Sequence, residues 1–549
     1  MVSTESLTGR PRIRRRLRDA VLAGIGAALL FTAMTTYRLE RPGVFYDELH
    51  QATGAFSYIG RPTTMFSFVP IRGVPLMNMT YTGAMKTAIY GLYLRASGRP
   101  FTIFSWRLLG ILFSAAGLVL FCVLAGDRLP VPALALFFGL LLSDTNVLLQ
   151  SRHDWGPVAL GFSLRMTLIG LATRQLSGTR RQWGPFLLGL VVGIAIFEKL
   201  SATVLLGPLA VILWADSQTR SPRAVAQARR GLAVGALPVI AVNVYSLATT
   251  STLTALTAID TTPRRSIFGY AANYLILGNG RLERQMMFDT SVLRWAERLE
   301  GLAILALILI VAVVAWTRGH VDSLARVAGV WLLCYAAVGV ALPLLPHGTA
   351  EHHWIMGTPF QYLAFALAAA SLWSPGSRSK AGRALFVTCL AALLVARVPA
   401  VLSACDAVRG DKYSKAWDPS LSTAAAFAAR QPASAIFIAA NWGTATQVFC
   451  FANGRQDFVF EPFWRYGGPE TLNPILESPA RRLVIAAAIR PASPLKPGEI
   501  NTLRQVTAAI FRDLATTPGW EEVPVDPLIQ NLRAVEIRMF RRTTRAGGS

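Results

Sequence analysis

Asp47 and Glu48 stand side by side in the segment FYDELHQATGAFSYIG, shortly after the first long apolar run of the chain. A carboxylate within hydrogen-bond reach of a hydroxyl can orient it and take its proton. Acidic residues at a helix start also have a duller use, because they favour the positive end of the helix dipole. Asp154 adds to the pattern: it follows Ser151-Arg152-His153, so a third carboxylate stands beside two cationic side chains. Carboxylates that handle a hydroxyl and cations that steady an anion are the two halves of a group-transfer site. Arg72, Lys199, Arg264, Arg265, His352 and His353 extend the cationic set. Lys and Arg near helix ends commonly reach to the membrane interface, which accounts for part of it. Lys199 is harder to dismiss, since Glu198-Lys199 between two apolar segments is costly unless paired or functional. His352-His353 could hold a divalent metal, but no acid or cysteine stands at ligand spacing, so no metal is assigned and no cofactor is required.

These residues matter only if the chain brings them together, and the chain is built for a membrane. Of 549 residues 53% are hydrophobic and 15% charged, with a mean hydropathy of +0.43, whereas soluble domains carry about 25% charged residues. This excludes a disordered chain, and 5 cysteines exclude a disulfide scaffold. The net charge of +24 comes with no nucleic-acid motif and fits Lys and Arg gathered in short cytoplasmic loops. Apolar runs of spanning length fall near 20–37, 104–124, 131–150, 156–173, 184–198, 201–215, 231–249, 300–316, 327–345, 354–373 and 384–402, about eleven spans. The Arg-rich start followed by an apolar run also fits a signal peptide, but no clear small-x-small cleavage site follows.

The segment 76–96 decides the sidedness. It is apolar, but Lys86 would lie near the bilayer centre, at about 2.5–3.5 kcal/mol. If it does not span, Arg10 to Arg18, Arg128, Arg174-Arg180-Arg181, Arg220 to Arg230, Arg318-Arg326 and Arg378 to Arg383 all fall on one side, the cytoplasmic one. It is therefore expected to be an interfacial or re-entrant helix. The N-terminus is then inside and the C-terminus outside, in the cell inner or plasma membrane. Segments 38–103, 250–298 and 403–549 face the outside, with tight turns at Ser151–Asp154 and Pro346–Trp354. On that reading Asp47 and Asp154 share a compartment.

The order of these features resembles glycosyltransferase family 39 and its relatives in the GT-C fold, among them protein O-mannosyltransferases and lipid A aminoarabinose transferases. The resemblance rests on Asp47-Glu48 in the first external loop, a Pro-led juxtamembrane helix from Pro75-Leu76 to Leu94-Arg95, and Arg107-Leu108 opening the second span. Ser151 to Asp154 after the third span and a glycine-rich span ending in Lys199 complete it. It covers roughly residues 20–215. Beyond that the likeness is architectural only. It implies a transferase that moves a sugar from a polyprenyl-phosphate donor to a hydroxyl acceptor with inversion. Asp47 would be the base, assisted by Glu48 and Asp154. Lys199 and Arg152 would hold the donor phosphate, with Arg72, His153, His352 and His353 as further candidates. Relatives carry Lys or His-Pro before the juxtamembrane proline where this chain has Gly73-Val74, so that phosphate contact rests on Arg72. The span at 354 opens with His353-Trp354 rather than Arg-Tyr. Neither sugar nor acceptor, whether glycan, lipid or protein, is implied.

Two units are thus expected: a membrane catalytic domain, 1–402, and an extracytoplasmic domain, 403–549. In the latter, AIFIAA at 435–440, LVIAAAI at 483–489 and LRAVEIRMF near 532–541 read as strands. A helix near 499–515 completes a small α/β fold. It has no nucleotide-binding glycine fingerprint, which leaves acceptor recognition or support as its role. Cys405 and Cys450, both external, could pair. The main alternative is a transporter or flippase of polyprenyl-linked or other anionic lipids, which needs charges inside the spans; a third is a non-catalytic lipid-binding scaffold.

Overall fold

The computed structural model describes residues 9–543, except 64, 67, 72, 79–80, 155–157, 179–182, 216–219, 251–269, 271–273, 275–285, 290–292, 346–350, 376, 378 and 491–496. The side chains of 10–13, 68, 71, 249–250, 351–352 and 497–503 also fall outside this set. Arg72, Arg264, Arg265 and the His352 side chain therefore lie outside the described residues.

All eleven apolar segments are helical. The chain runs through α1 (Gly9–Thr36), α2 (Tyr46–Thr53), α3 (Met85–Ser97), α4 (Ile103–Ala125), α5 (Val131–Leu142), α6 (Thr145–His153), α7 (Val158–Leu176), α8 (Gly184–Glu198) and α9 (Leu206–Ala215). It continues with α10 (Pro222–Gly235), α11 (Leu237–Thr250), α12 (Arg294–Arg318), α13 (Ser323–Ala341), α14 (Thr358–Leu372) and α15 (Lys380–Arg409). Among the described residues, five helices are straight, long and apolar enough to cross a membrane, and two bent pairs raise the number to seven. α5 and α6 meet at 65° because Asp144 leaves the helical path and caps α6, its carboxylate accepting from the Asn146 amide at 2.8 Å. α10 and α11 meet at 62°, where Pro238 cannot donate to the preceding turn.

Helices α8 and α10 cross with their backbones nearly touching. Both carry a Gly-xxx-Gly face, Gly189 with Gly193 and Gly231 with Gly235, and a Cβ on Gly189 would overlap the Ala228 carbonyl. Small residues are how helices approach closely where no water drives them together. The arginines at 223, 229 and 230, expected in a loop, are exposed on α10.

The helical bundle carries buried charges in its interior. Arg397 of α15 donates to Glu300 of α12 at 3.1 Å and to the Leu140 carbonyl at 3.0 Å, and it bonds Tyr362. Tyr362 in turn donates to Asp144 at 2.6 Å. Each charge has an opposite partner inside the group, the condition under which buried ions are tolerated.

Outside the helical bundle, the segment 76–96 is not one helix. Strands β1 (Phe68–Ile71), β2 (Val74–Asn78) and β3 (Thr82–Gly83) form an antiparallel sheet, and only then does α3 begin. The run Thr80-Tyr81-Thr82 favours extended backbone. Ser151–Asp154 is also not a tight turn. Ser151 to His153 are the last turn of α6, and Asp154 (φ +49°) is its left-handed cap.

Helix α15 runs on to Arg409, past the boundary read at 403. Beyond it come α16 (Ser420–Ala429), β4 (Ala435–Ala439), α17 (Ala445–Phe451), β5 (Val459–Phe460), β6 (Leu483–Ile489), α18 (Pro497–Thr516), β7 (Trp520–Val523) and β8 (Val535–Arg542). The strands make one sheet in the order β5-β4-β6-β8-β7, with β5, β4 and β6 parallel. Cys405 is exposed and Cys450 buried in α17; both are free thiols.

The α8–α10 crossing gives a stability prediction. Gly189→Val should lower the unfolding temperature of the purified protein clearly, by overpacking against α10. Gly26→Val, where nothing lies within 4 Å of the added Cβ, should change it little. Equal effects would contradict the close crossing.

Candidate active site

The first loop is shaped by one side chain from α4. Arg107, fully buried, donates from Nε to Glu48 Oε1 at 2.6 Å and from Nη2 to Glu48 Oε2 at 2.8 Å. Nη1 reaches the carbonyls of Leu39 (2.8 Å) and Pro42 (3.0 Å), and Nη2 that of Gly43 (3.0 Å). A guanidinium has five donor hydrogens, and five acceptors surround this one. The exit of α1 and the start of α2 are thereby pinned to one point. Glu48 has both oxygens on Arg107, which anchors the loop beside Asp47.

The C-terminal domain holds the same loop from outside. Gly43 donates to the Trp417 carbonyl at 2.7 Å, and a Cβ there would overlap the Asp418 backbone. Gln447 donates to the Val44 carbonyl at 3.0 Å and Thr446 to that of Tyr46 at 3.2 Å. Phe45 stacks on Trp417 with centroids 5.4 Å apart, and Tyr46 lies 5.0 Å from Trp442.

Asp47 is half-buried in the first turn of α2. Its charge acts on Tyr46, Tyr81 and Lys199, among other groups. Burial pushes the Tyr81 phenol up to about 12, and Asp47 adds to the rise. Tyr46 is raised further by burial, then by Glu461 and Asp47. Both phenols therefore stay protonated donors near the carboxylate.

Lys199 reaches this place through backbone pairing. It leaves α8 in extended conformation (φ −154°, ψ 122°), bridges to Thr82, and the next residue, Leu200, donates to the Tyr81 carbonyl at 2.9 Å. Gly83 permits the approach, since its Cβ would lie 2.6 Å from the Phe197 carbonyl. Asp47 and Asp154 both act on the Lys199 ammonium.

Asp154 is buried with both oxygens in use. Oδ2 accepts from Lys86 Nζ at 2.6 Å and Oδ1 from the Ala159 amide at 2.8 Å. Lys86 also lies 3.9 Å over the Trp106 ring. Gly110 of α4 makes room for the pair, its Cβ position being 3.3 Å from both charged atoms. Lys86 enters the sequence reading only as the obstacle to a span; with its counter-ion in place, that cost is met by an ion pair.

Beside Lys199 lies a small cavity of about 20 Å³ whose polar lining is Arg165, Glu198, Lys199 and His353, among apolar walls that include Val158, Leu205 and Ile355. Among the described residues, Arg165, on α7 and only 4% exposed, has no hydrogen-bond partner at Nε or Nη2. Buried guanidinium donors left without acceptors are expensive and suit an anion. Sequence reasoning passes over Arg165 inside an apparent span, although a lone arginine in an apolar run is itself a signal.

Of the expected phosphate ligands, the structure brings Lys199 and His353 to this cavity. Arg152 and His153 are turned away, because they belong to the packing between α6 and the C-terminal domain. Arg152 donates to the Arg38 carbonyl at 2.6 Å, and the His153 ring lies 4.7 Å from Trp417. The cavity end and the Arg-rich end are far apart. α4 begins beside Glu48 and finishes, ~34 Å on, next to Arg128, which lines a separate cavity with Arg16, Arg220 and Arg326.

Two outcomes follow for this site. Arg107→Lys leaves Glu48 and three carbonyls incompletely served and should cost about 3–5 kcal/mol of stability, with activity falling alongside. Glu461 is pushed up to about 7 by burial. The folded state therefore keeps a proton that the unfolded chain loses near 4.5, and stability should decline as pH rises from about 5 to 7. Glu461→Gln should flatten that part of the unfolding-temperature curve, and an unchanged slope would contradict the assignment.

No protein-family model matches the chain, and no curated protein sequence matches it. Among solved structures it is similar to ArnT from Cupriavidus metallidurans bound to undecaprenyl phosphate, at 12% identity and a TM-score of 0.57 over 96% of this chain and 99% of that one. It is likewise similar to the same protein in the apo state, at 13% identity and a TM-score of 0.52 over 95% and 99%. The two chains thus share an architecture over nearly their whole lengths, and the fold of this polytopic membrane protein is the GT-C fold of ArnT.

Proposed function

We propose that the chain is an integral-membrane glycosyltransferase that takes a sugar from a polyprenyl-phosphate donor at the extracytoplasmic face, with the N-terminus inside. The observation that carries this reading is the cavity beside Lys199. It offers two cations, Arg165 and Lys199, in apolar walls, and Asp47 is close enough to act on Lys199. An apolar chamber with cations at its inner end suits a lipid phosphate. The similar ArnT structure is bound to undecaprenyl phosphate, which supports the same donor class here.

The chemistry assigns each group one task. Asp47 accepts the proton of the acceptor hydroxyl while that oxygen attacks the anomeric carbon. The bond from that carbon to the phosphate oxygen breaks, and its electron pair leaves with the lipid phosphate. Inversion follows from a single displacement. Arg165 and Lys199 meet the charge as it grows on the phosphate, with His353 at the rim. Asp154 and Lys86 hold the floor of the site, and Glu48 with Arg107 holds Asp47 in place. Asp47 is thus the catalytic residue; Glu48 and Asp154 are positioning residues.

A transport reading would draw on the buried Asp144–Arg397–Glu300 group. Those charges are bonded to one another, which leaves none of them facing an open lipid path.

Purified protein in lipid nanodiscs, supplied with a polyprenyl-phosphate sugar and its envelope acceptor fraction, tests the assignment. Asp47→Asn should lower transfer about 10²–10⁴-fold with lipid-phosphate retention unchanged. Lys199→Ala and Arg165→Met should release the lipid phosphate and weaken transfer together. Full transfer by Asp47→Asn would overturn the role of Asp47, and lipid movement without sugar transfer would favour transport.

A further inference from the structure

The α/β domain has a crevice of its own at the point where its chain reverses direction. β4 and β6 are parallel neighbours. From the end of β4 the chain turns through α17, which packs on one face of the sheet with Ala435, Phe437 and Ala439. From the end of β6 it turns to α18, whose Ile510 and Phe511 pack on the other face with Ile436 and Ile438. Two adjacent parallel strands whose connections leave to opposite faces open a gap at their carboxyl ends, and in open α/β sheets ligands bind there. Asn441 braces that gap, its side chain donating to the Ile489 carbonyl at 2.8 Å and accepting from the Ile489 amide at 2.8 Å.

The gap is an open cavity of about 530 Å³, and five of its lining side chains are cationic: Lys415, Arg490, Arg504, Arg512 and Arg538, against Glu536 alone. This is not the average character of the domain, since residues 403–549 hold 17 Lys and Arg and 13 Asp and Glu. Arg538 is paired with Glu536 at 3.0 Å and Arg512 with Asp513 at 3.1 Å. Lys415, Arg490 and Arg504 are exposed and have no ion pair among the described residues. Like charges gathered at a concave site raise the local concentration of anions, and arginine forks suit phosphate and carboxylate.

Two lining residues of the crevice adjoin, in sequence, residues that hold the first loop. Asn441 precedes Trp442, which packs on Tyr46 at 5.0 Å, and Lys415 stands two residues before Trp417, which stacks on Phe45 at 5.4 Å. Asp47 is the next residue along. We infer that this crevice binds a ligand carrying more than one phosphate or carboxylate group. That this ligand is an anionic saccharide, the acceptor presented to Asp47, rests on the transferase reading above.

Binding of glucose 1,6-bisphosphate to the full-length protein in phosphatidylcholine nanodiscs, followed by calorimetry, tests it. The bisphosphate should bind, glucose should not, and inorganic phosphate should bind at least tenfold more weakly. The double variant R490E/R504E should weaken bisphosphate binding at least tenfold, and R430E/R465E, the same charge change outside the crevice, should alter it less than twofold. Absence of bisphosphate binding, equal affinity for inorganic phosphate, or equal loss in both double variants would overturn the crevice. The readout needs no sugar transfer. A protein that binds the bisphosphate yet moves no sugar would overturn the transferase reading and leave the crevice standing; a protein that moves sugar without binding would overturn the crevice alone.

Discussion

Everything at the reacting end is arranged around the buried guanidinium of Arg107. It gathers the Leu39, Pro42 and Gly43 carbonyls and both Glu48 oxygens, so α1, the loop after it and α2 meet at one point of α4. Removing a group with that many partners in a dry interior leaves several unmet acceptors together. The side chain beside Glu48 inherits its position from this arrangement. Asp47 has no need of a strong tether of its own, because the residue after it is fixed.

A second layer of order comes from pairing between segments distant in sequence. Lys86 and Asp154 join α3 to the cap of α6, and the Thr82–Lys199 bridge joins the small sheet to the end of α8. Asp154 also bonds the first turns of α7 through Ala159. Asp47, Asp154, Lys199 and Arg165 therefore sit on four different helical segments or their ends, and their spacing is set by ion pairs and close glycine contacts rather than by loops. Such a scaffold can keep the Asp47 carboxylate and the Lys199 ammonium at a constant separation.

Apolar period and charge placement make the helical part of the architecture legible from the sequence, because a spanning segment must satisfy its own backbone and advertises itself by composition. The strands of the outer domain at 435–439 and 483–489 are equally plain, being short runs of Val, Ile and Ala between turns. The three-stranded sheet ahead of α3 is not, because Pro75 and the threonines near Tyr81 sit in a stretch whose overall apolarity suggests a helix. Arg152 and His153 read as site residues from their nearness in sequence to Asp154, but a helix sends successive side chains in different directions, and these two face Trp417 and Arg38. Arg165 escapes notice for the converse reason: nothing adjacent in sequence points to it, and only the fold sets it beside Lys199.

The grip of Gln447, Thr446 and Trp417 on the first loop has a consequence for biosynthesis. Those contacts span 400 and 403 residues for Thr446 and Gln447, so a ribosome adding about 5–20 residues per second needs about 20–80 s after Tyr46 emerges before the clasp can close. Through that interval the nascent chain already possesses Asp47 but lacks the contacts that hold the loop around it, so the loop's final geometry waits on the completed C-terminal domain.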